Sequence, residues 1–302
     1  MSADRRIVVS GASGLIGSAL VASLRDRGHR VVQLVRRDLR GPDELRWDPS
    51  AGTIAAGALD GAAAVINLSG AGINDHRWTD DYKRTLVESR TRTTELLAHT
   101  IAAAEERPAV LLSGSAIGYY GDGGSEPLTE DAPPGDDFLA GLCRQWEAAT
   151  GEAEAADVRT VHLRTGIVLT DRGGALKKQL PLFKLGLGGR FGDGRQWQSW
   201  ISLADEIGAI THLLDADVAG AVNLVAPQPV TNREFTSVLA SVLRRPAVVP
   251  IPSFGPKLLL GGELAEALLY TGQRVQPTRL EASGYRFEHP TLEVALRAIL
   301  GR

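Results

Sequence analysis

A glycine-rich turn near the start of the chain constrains its fold more than any other segment. An apolar run at 7–9 leads into Gly11, Gly14 and Gly17, and residues 18–25 then have the pattern of a helix. Glycines at these positions let the backbone turn sharply out of a strand and come close to a pyrophosphate, to which the helix N-terminus presents free N–H groups. A tight strand-to-helix turn without a ligand is the alternative. The predicted cofactor contacts in this turn are Gly11, Ser13, Gly14, Leu15, Ile16 and Gly17.

The next apolar run indicates which dinucleotide would bind. This run, 31–35, is followed at once by Arg36 and Arg37. NAD-binding units usually have an acidic residue about 20 residues after the glycine turn, where it binds the ribose 2′-hydroxyl, whereas an arginine accommodates a 2′-phosphate. Strand, glycine turn, helix, strand and arginine in this order are more specific than a glycine motif alone. The sequence therefore predicts an NADP(H) site, with two solvated arginines as the alternative.

The composition excludes several other classes of protein. The 302 residues suffice for a substantial core, and the net charge of −3 gives no general attraction to nucleic acid or to anionic membranes. No apolar stretch has the length of a membrane span. Cys143 is the only cysteine, which rules out an intramolecular disulfide and a cysteine-based zinc site. We expect a cytoplasmic monomer or homodimer that acts on a small molecule. Because the N-terminus runs directly into the first strand, we expect no signal peptide.

Short apolar runs alternate with helical segments over the first half of the chain. This alternation predicts a doubly wound α/β fold, with a parallel sheet and helices on both faces. The segment 229–300 is typical of a smaller, mostly helical lobe with a strand near 248–251. We expect a Rossmann domain made of 1–168 and about 201–226, and a substrate lobe made of about 169–200 and 227–302. The predicted strands are 6–10, 31–35, 43–47, 64–68, 109–113, 160–164, 166–169 and 220–225, and the predicted helices are 15–27, 79–105 and 137–155.

Motifs spread along the whole chain carry a family resemblance. They are the glycine turn, Asn67-Leu-Ser-Gly-Ala71, Ser89-Arg-x-x-Thr-Thr94, Ser113-Gly-Ser-Ala-Ile-Gly-Tyr-Tyr-Gly121, Trp146-Glu147, Arg164-Thr-Gly-Ile-Val-Leu169, Leu185-Gly-Leu-Gly-Gly189 and Thr271-Gly-Gln-Arg-Val275. Together they resemble those of the extended short-chain dehydrogenases/reductases of the epimerase/dehydratase type. More narrowly, the chain is similar to the subgroup of epimerase family proteins that carry the name nucleoside-diphosphate-sugar epimerase. No single motif is specific, but the set is.

The resemblance implies roles for four further residues. Leu68 and Ser69, at the end of the strand predicted at 64–68, would line the cofactor. Arg90, on the helix that follows, would reach the cofactor phosphates, and Val168 would touch the nicotinamide end. Without the resemblance, Leu68 and Val168 are equally consistent with core packing, and Arg90 with a solvated charge on a helix.

The sequence departs from this family at the catalytic pair. The wider family uses Tyr-x-x-x-Lys on one helix, where the lysine lowers the pKa of the tyrosine that moves a proton to or from the substrate. None of the five tyrosines here has a lysine four residues later. Alignment on Trp146-Glu147 puts Leu139 and Cys143 in the positions of the tyrosine and the lysine. We expect Cys143 to be buried and inert in an apolar helix segment.

Other polar residues remain near the expected catalytic centre. Ser115 best matches the family's catalytic serine or threonine and would hold a substrate carbonyl, while Tyr119 or Tyr120 would supply a proton. The alternative for both tyrosines is packing under the substrate lobe. Trp197 and Trp200 lie in a glycine-rich, loop-rich region, where they would form either an aromatic wall of the substrate cleft or a core contact between lobes.

Two functions remain open from the sequence. The first is an NADP(H)-dependent oxidoreductase or epimerase that acts on a small polar or nucleotide-sugar-like substrate with unusual acid–base residues. The second is a non-catalytic or redox-sensing protein that binds NADP(H). The missing tyrosine–lysine pair favours the second, whereas the glycine turn together with a full substrate lobe favours the first.

Overall fold

The strands lie in the part of the chain that the computed structural model describes, which comprises residues 5–247, 250–252 and 254–302. Their bounds are β1 (Arg6–Ser10), β2 (Arg30–Val35), β3 (Glu44–Asp48), β4 (Thr53–Ile54), β5 (Ala64–Asn67), β6 (Val110–Ala116), β7 (Pro127–Leu128), β8 (Arg159–Thr165), β9 (Ile167–Leu169), β10 (Trp197–Gln198), β11 (Trp200–Ser202), β12 (Gly220–Leu224), β13 (Val230–Thr231) and β14 (Arg274–Val275).

Eight of these strands form one sheet in the order β12-β8-β6-β5-β1-β2-β3-β4. All its pairs are parallel except the terminal β3–β4 pair. Apolar runs such as Ile7-Val8-Val9 are buried on both faces, as a covered parallel sheet requires. From β1 the chain first extends the sheet through β2 and β3, and then returns to the other side of β1 through β5. This reversal opens a crevice at the carboxyl ends of β1 and β5, where ligands bind in doubly wound sheets.

Helices cover both faces of this sheet. Their bounds are α1 (Leu15–Asp26), α2 (Asp80–Ala102), α3 (Phe138–Ala148), α4 (Gly151–Ala155), α5 (Gly174–Lys184), α6 (Leu203–Leu213), α7 (Asn232–Leu243), α8 (Phe254–Leu260), α9 (Gly262–Ala265), α10 (Thr278–Ala282) and α11 (Leu292–Leu300). Helices α1 and α6 pack on one face of the sheet, and α2 and α4 on the other. The predicted doubly wound, Rossmann-type fold is therefore confirmed.

The C-terminal part of the chain is mostly helical, as predicted. Its apolar cluster joins α5, α7 and α11 around the fully buried Trp200. Trp200 is thus a core residue, and its indole N–H donates to the carbonyl of Gln228 at 2.9 Å. Of the strand predicted near 248–251, Val248 and Val249 lie outside the described residues, and Ile251 forms an isolated bridge with Phe191.

One predicted helix was wrong in its extent. The segment predicted as a single helix over 137–155 forms two, because α3 ends at Ala148 and α4 begins at Gly151. Thr150 lies between them, and its hydroxyl donates to the carbonyl of Glu147 at 2.7 Å. Such a local hydrogen bond competes with the helical backbone pattern. Apart from the strand predicted near 248–251, the other predicted elements differ from the observed ones only at their ends, which is where propensity is least informative.

Membrane-spanning helices and clusters of metal-ligating side chains are both absent from the described residues. No helix among them combines the length and apolar character needed to cross a membrane. Nor do they bring three His, Cys, Asp or Glu side chains together as a metal site would.

Candidate functional site

The glycine turn between β1 and α1 is closely packed against the loop after β5. Gly11 has a φ of 70°, in the left-handed region that favours glycine. A Cβ atom at Gly11 would collide with the carbonyl oxygen of Leu68, and one at Gly17 would collide with the carbonyl oxygen of Gly11. Gly14 is less crowded, because its Cβ would lie 3.3 Å from the same oxygen. Glycines therefore bring the turn against Leu68 at the bottom of the crevice.

The N-terminus of α1 has no capping group of its own. Gly14 is its N-cap residue, no side chain caps the helix, and its first turn contains no acidic residue. The first N–H groups of the helix and the positive end of its dipole are therefore available to an external anion.

A cleft of about 640 Å³ opens at this end of the sheet. Its walls are the glycine turn, the end of β2, the turn after β3, the loop after β5 and one face of α2. The residues that line it are Gly11, Ala12, Ser13, Gly14, Gln33, Leu34, Val35, Arg36, Arg37, Trp47, Pro49, Ser50, Leu68, Ser69, Gly70, Ala71, Thr85, Glu88, Ser89, Arg92 and Thr93.

The two arginines predicted to bind a 2′-phosphate differ in their partners. Arg37 donates to both oxygens of Glu44, at 2.9 and 2.5 Å, and Glu44 also accepts the N–H of Arg40 at 2.6 Å. These hydrogen bonds hold the pKa of Glu44 down at about 2. Arg36 is exposed and makes no hydrogen bond or ion pair to the described residues. Of the two guanidinium groups, only that of Arg36 is uncommitted.

The loop after β5 has the predicted Leu68 and Ser69 in the cleft wall. Asn67, at the end of β5, fixes the start of this loop. Its side-chain oxygen accepts the hydroxyl of Ser10 at 2.6 Å and the N–H of Ser69 at 3.2 Å. Because Ser10 ends β1, these bonds connect the two strands between which the crevice opens.

Arg90 and Val168 lie behind the cleft wall. Neither is among the residues that line the cleft. The guanidinium of Arg90 donates to the carbonyls of Leu86 and Ala71, at 2.9 and 3.0 Å. Val168 is half-buried on β9 and packs against the core cluster that includes α1 and β1. The contacts that the family resemblance predicts for these two residues stay predictions.

Ser115 is buried in the structure and its hydroxyl is occupied. It donates to Glu147 of α3 at 2.7 Å. Glu147 in turn accepts two hydrogen bonds from Arg164 of β8, at 2.8 and 2.9 Å. Burial alone would lower the pKa of Arg164, but the hydrogen bonds and the charge of Glu147 raise it. The guanidinium therefore stays charged inside the protein.

Tyr120 belongs to the same buried network. Its hydroxyl donates to Asn223 of β12 at 2.7 Å and accepts from Arg164 at 3.0 Å. Burial raises the pKa of Tyr120. Its side chain is only 4% exposed, in a cluster with Val225 and Val275. Tyr120 therefore packs under the C-terminal region, which is the alternative that the sequence left open for it.

Tyr119 differs from both. It is half-buried, and its ring lies 3.4 Å from the guanidinium carbon of Arg164. The ring of Tyr120 meets it edge-on, with centroids 5.3 Å apart. The hydroxyl of Tyr119 makes no hydrogen bond to any residue that the structure describes. Of the three candidate catalytic residues, only Tyr119 has a hydroxyl that is not hydrogen-bonded to a described residue.

Helix α3 is apolar where the family's catalytic pair would lie. Cys143 is buried, as predicted, and burial raises the pKa of its thiol to about 12. Its sulfur lies 3.7 Å from the carbonyl oxygen of Ala116. A Cβ atom at Gly118 would come within 3.2 Å of Leu139, so this helix packs closely on the turn before Tyr119. A thiol with so high a pKa does not act as a nucleophile near neutral pH.

Sequence reasoning missed the far wall of the cleft. Trp47, Pro49 and Ser50 lie on the β3 end and the turn after it, and Arg92 lies on α2 beside its ion-pair partner Glu88. The turn after the strand predicted at 43–47 was a usable signal, since ligands of doubly wound sheets bind outside the carboxyl ends of the strands. Arg92 stands inside the Ser89–Thr94 motif but carried no signal of its own. Trp197, by contrast, is half-buried under the guanidinium of Arg274, 4.6 Å from its ring.

Comparison with protein-family models gave two matches. Residues 7–225 match the model described as the NAD dependent epimerase/dehydratase family. Residues 251–299 match a model described only as a domain of unknown function. The two matches together cover most of the chain.

Individual relatives are similar over nearly the whole chain. An epimerase family protein of Mycobacterium tuberculosis is 42% identical, over 97% of each chain. The human epimerase family protein SDR39U1 is 38% identical, over 98% of this chain and 99% of the human one. A crystal structure of that human protein with NADPH superposes with a TM-score of 0.88 at 36% identity, covering 98% of this chain and 99% of the human one.

Proposed function

Since the chain belongs to the NAD-dependent epimerase/dehydratase family, we propose that it binds NADP(H) in the cleft between the glycine turn and Arg36. The observation that carries the proposal is the uncommitted guanidinium of Arg36, which borders the same cleft as the uncapped N-terminus of α1. The helix N-terminus suits the pyrophosphate and the arginine suits a 2′-phosphate. The human relative that was crystallised with NADPH supports the choice of dinucleotide.

The same proposal gives a task to most of the residues that the sequence predicts as cofactor contacts. Gly11, Gly14 and Gly17 allow the close approach of the pyrophosphate, and the N–H groups of Ser13, Leu15 and Ile16 face it at the start of α1. Leu68 and Ser69 form the opposite wall. Val168 would touch the nicotinamide end. Arg37 extends the positive charge at the end of β2 while Glu44 holds its side chain in place.

We propose further that the protein is an oxidoreductase or epimerase that acts on a small polar or nucleotide-sugar-like substrate. The Rossmann domain would be 1–168 with about 201–226, and the substrate lobe about 169–200 and 227–302. When bound, the nicotinamide supplies hydride transfer at its C4 atom. The chain itself must then hold or move a proton at the substrate oxygen.

Tyr119 is the residue that fits this proton transfer best. Its hydroxyl makes no hydrogen bond to a described residue, and the guanidinium of Arg164 lies against its ring. Ser115 and Tyr120 would act through the network around Arg164, because their hydroxyls are already bound to Glu147 and Asn223.

A non-catalytic or redox-sensing role is the second candidate. It is favoured by one observation, namely that α3 presents Leu139 and Cys143 where the family's tyrosine and lysine would stand. A screen of small polar substrates and nucleotide sugars, read by nicotinamide absorbance, separates the two functions. Turnover that is lost in Tyr119→Phe supports catalysis, and the absence of turnover by a protein that binds NADPH supports the sensing role.

Calorimetric titration with NADPH and NADH tests the binding proposal. A charge-assisted contact to the 2′-phosphate is worth about 1.5–3 kcal/mol, so we expect NADPH to bind roughly ten- to a hundredfold more tightly. Equal affinity, or tighter binding of NADH, would contradict the assignment of NADP(H).

A further inference from the structure

The loop after β5 and the Ser89–Thr94 motif of α2 meet in the wall of the cofactor cleft. The loop 68–71, which we term the cofactor loop, ends at Ala71. The N–H of Ala71 donates to the hydroxyl oxygen of Ser89 at 3.0 Å, and its carbonyl accepts from Arg90 at 3.0 Å. Consecutive residues of α2 therefore bind both backbone polar groups of a single loop residue. At the other end of the loop, the Asn67 amide donates to Thr94, also on α2, at 2.8 Å.

The guanidinium of Arg90 is directed at backbone and not at an acidic group. Its second nitrogen donates to the carbonyl of Leu86, and its central carbon lies 5.0 Å from the ring of Trp146. Arg90 forms no ion pair with a carboxylate of the described residues, and burial lowers its pKa. Arg90 is half-buried, and a cation that only carbonyl dipoles and an aromatic face stabilise is costly to keep away from water. Hence this arginine is not a stray surface charge.

The cofactor loop is shaped to admit this side chain. A Cβ atom at Gly70 would lie 3.1 Å from the central carbon of the Arg90 guanidinium, so the absence of a side chain allows the close approach. On its other side the loop touches the glycine turn, since a Cβ at Gly11 would collide with the carbonyl of Leu68. A shift of the loop would therefore disturb two walls of the cleft at once.

We propose that Ser89 and Arg90 are positioning residues that hold the cofactor loop in the conformation that receives a dinucleotide. Arg90 acts through the backbone of Ala71 and touches no phosphate. A loop that is already ordered need not be ordered when the ligand binds, and this raises affinity without a new contact. The inference rests on the proposed function, because it explains how the dinucleotide cleft is prepared.

This role predicts which affinities change. The 2′-phosphate is expected at Arg36, beyond the end of β2, whereas the cofactor loop follows β5. A loosened loop should therefore weaken the binding of NADPH and of NADH by the same factor. A direct contact to a phosphate would instead make binding less sensitive to salt when the charge is removed.

The test compares Arg90→Gln and Arg90→Lys with Arg84→Gln. Arg84 is an exposed arginine of the same helix that does not line the cleft, and it pairs with Asp81. The dissociation constants of NADPH and NADH would be measured at low and high salt. Arg90→Lys keeps the charge but loses the planar fork that binds two carbonyls. If Arg90→Gln does not fold, the comparison is made with Arg90→Lys alone.

Both Arg90 variants should bind NADPH and NADH about tenfold more weakly, from the loss of the hydrogen bond to Ala71 of the loop. The ratio of the two constants and the salt dependence should match the wild type, and Arg84→Gln should bind as the wild type does. Unchanged affinities would overturn the proposal. So would a loss confined to NADPH, a reduced salt dependence, or full affinity in Arg90→Lys, since each would place the charge on a phosphate.

Hydrogen exchange of the free protein reads the same contact without a ligand. In Ser89→Ala the N–H of Ala71 loses its acceptor, so its exchange should be at least about tenfold faster while the exchange of β1 and β6 stays unchanged. Unchanged exchange at Ala71 would overturn the positioning role. If the wild type binds neither dinucleotide, the proposed function fails, and this exchange measurement still decides whether the loop is held by α2.

Discussion

Two regions at the carboxyl ends of the strands use their polar groups in opposite ways: the glycine-turn end borders the cleft, and the Ser115 end lies outside its lining. At the glycine turn, the N-terminus of α1 and Arg36 have no protein partner among the described residues and border an open cleft. Around Ser115, the hydroxyls and charges are bound to one another through Glu147 and Arg164. Polar groups left free are available to a ligand, whereas groups that satisfy one another stabilise and specify the fold. The first end is built for binding and the second mainly for holding β6, β8 and α3 together.

The largest effect expected from this contrast is on stability. Glu147→Ala leaves the buried Arg164 without its carboxylate, and breaking a buried pair costs about 3–5 kcal/mol. Denaturant unfolding measures the loss. Glu44→Ala is the matched control, since it removes a similarly bidentate partner from Arg37 at the surface and should cost far less. If the two variants lost equal stability, the contrast between the two ends would not hold.

A second stability effect depends on pH. Glu206 of α6 is fully buried and accepts one hydrogen bond, from Thr165, and burial raises its pKa from 4.5 to about 8. The folded state therefore keeps a proton that the unfolded state releases, so this group makes the protein less stable as pH rises from 4.5 to 8. In Glu206→Gln this part of the decrease in stability with rising pH should disappear. An identical pH dependence in both proteins would contradict the assignment.

A smaller effect should separate the two arginines at the binding end. Arg36→Ala should lower the affinity for NADPH roughly ten- to a hundredfold, by about 1.5–3 kcal/mol, and leave NADH binding nearly unchanged. Arg37→Ala should have a weaker effect, because Glu44 already occupies the guanidinium. Titration of both variants with both dinucleotides tests this. Equal losses of NADPH affinity would show that the pair with Glu44 opens when the cofactor binds.

The smallest expected effect compares the two tyrosines. Tyr120→Phe removes a buried hydroxyl and leaves Asn223 without its donor, which should cost about 1–3 kcal/mol of unfolding free energy. Tyr119→Phe removes a hydroxyl that has no partner among the described residues and should change stability by less than about 0.5 kcal/mol. Paired denaturation curves measure both. A large loss in Tyr119→Phe would show that its hydroxyl is structural, and Tyr119 would no longer be the best candidate for proton transfer.

Local sequence patterns were sufficient to predict the architecture and the glycine turn that borders the cleft. The glycine turn lies between two apolar runs, so its place between β1 and α1 followed from sequence order alone. The difference between Arg36 and Arg37 was not predictable, because the partner of Arg37 stands on β3 and faces it only after β2 and β3 pair. The sequence pattern predicted one helix over 137–155 and did not indicate the break at Thr150, where a side-chain hydrogen bond competes with the backbone.

The sequence by itself determined the order of strands and helices, the glycine turn, the basic end of β2 and the absence of a Tyr-x-x-x-Lys pair. These properties depend on neighbouring residues, whose spacing sets backbone conformation and the face on which a side chain stands. Only the tertiary structure decided which polar groups are hydrogen-bonded within the protein and which are free. Ser115 meets Glu147, and Tyr120 meets Asn223, across separations of 32 and 103 residues. A hydrogen bond acts over about 3 Å, so whether a hydroxyl is free or bound depends on contacts that the folded sheet alone creates.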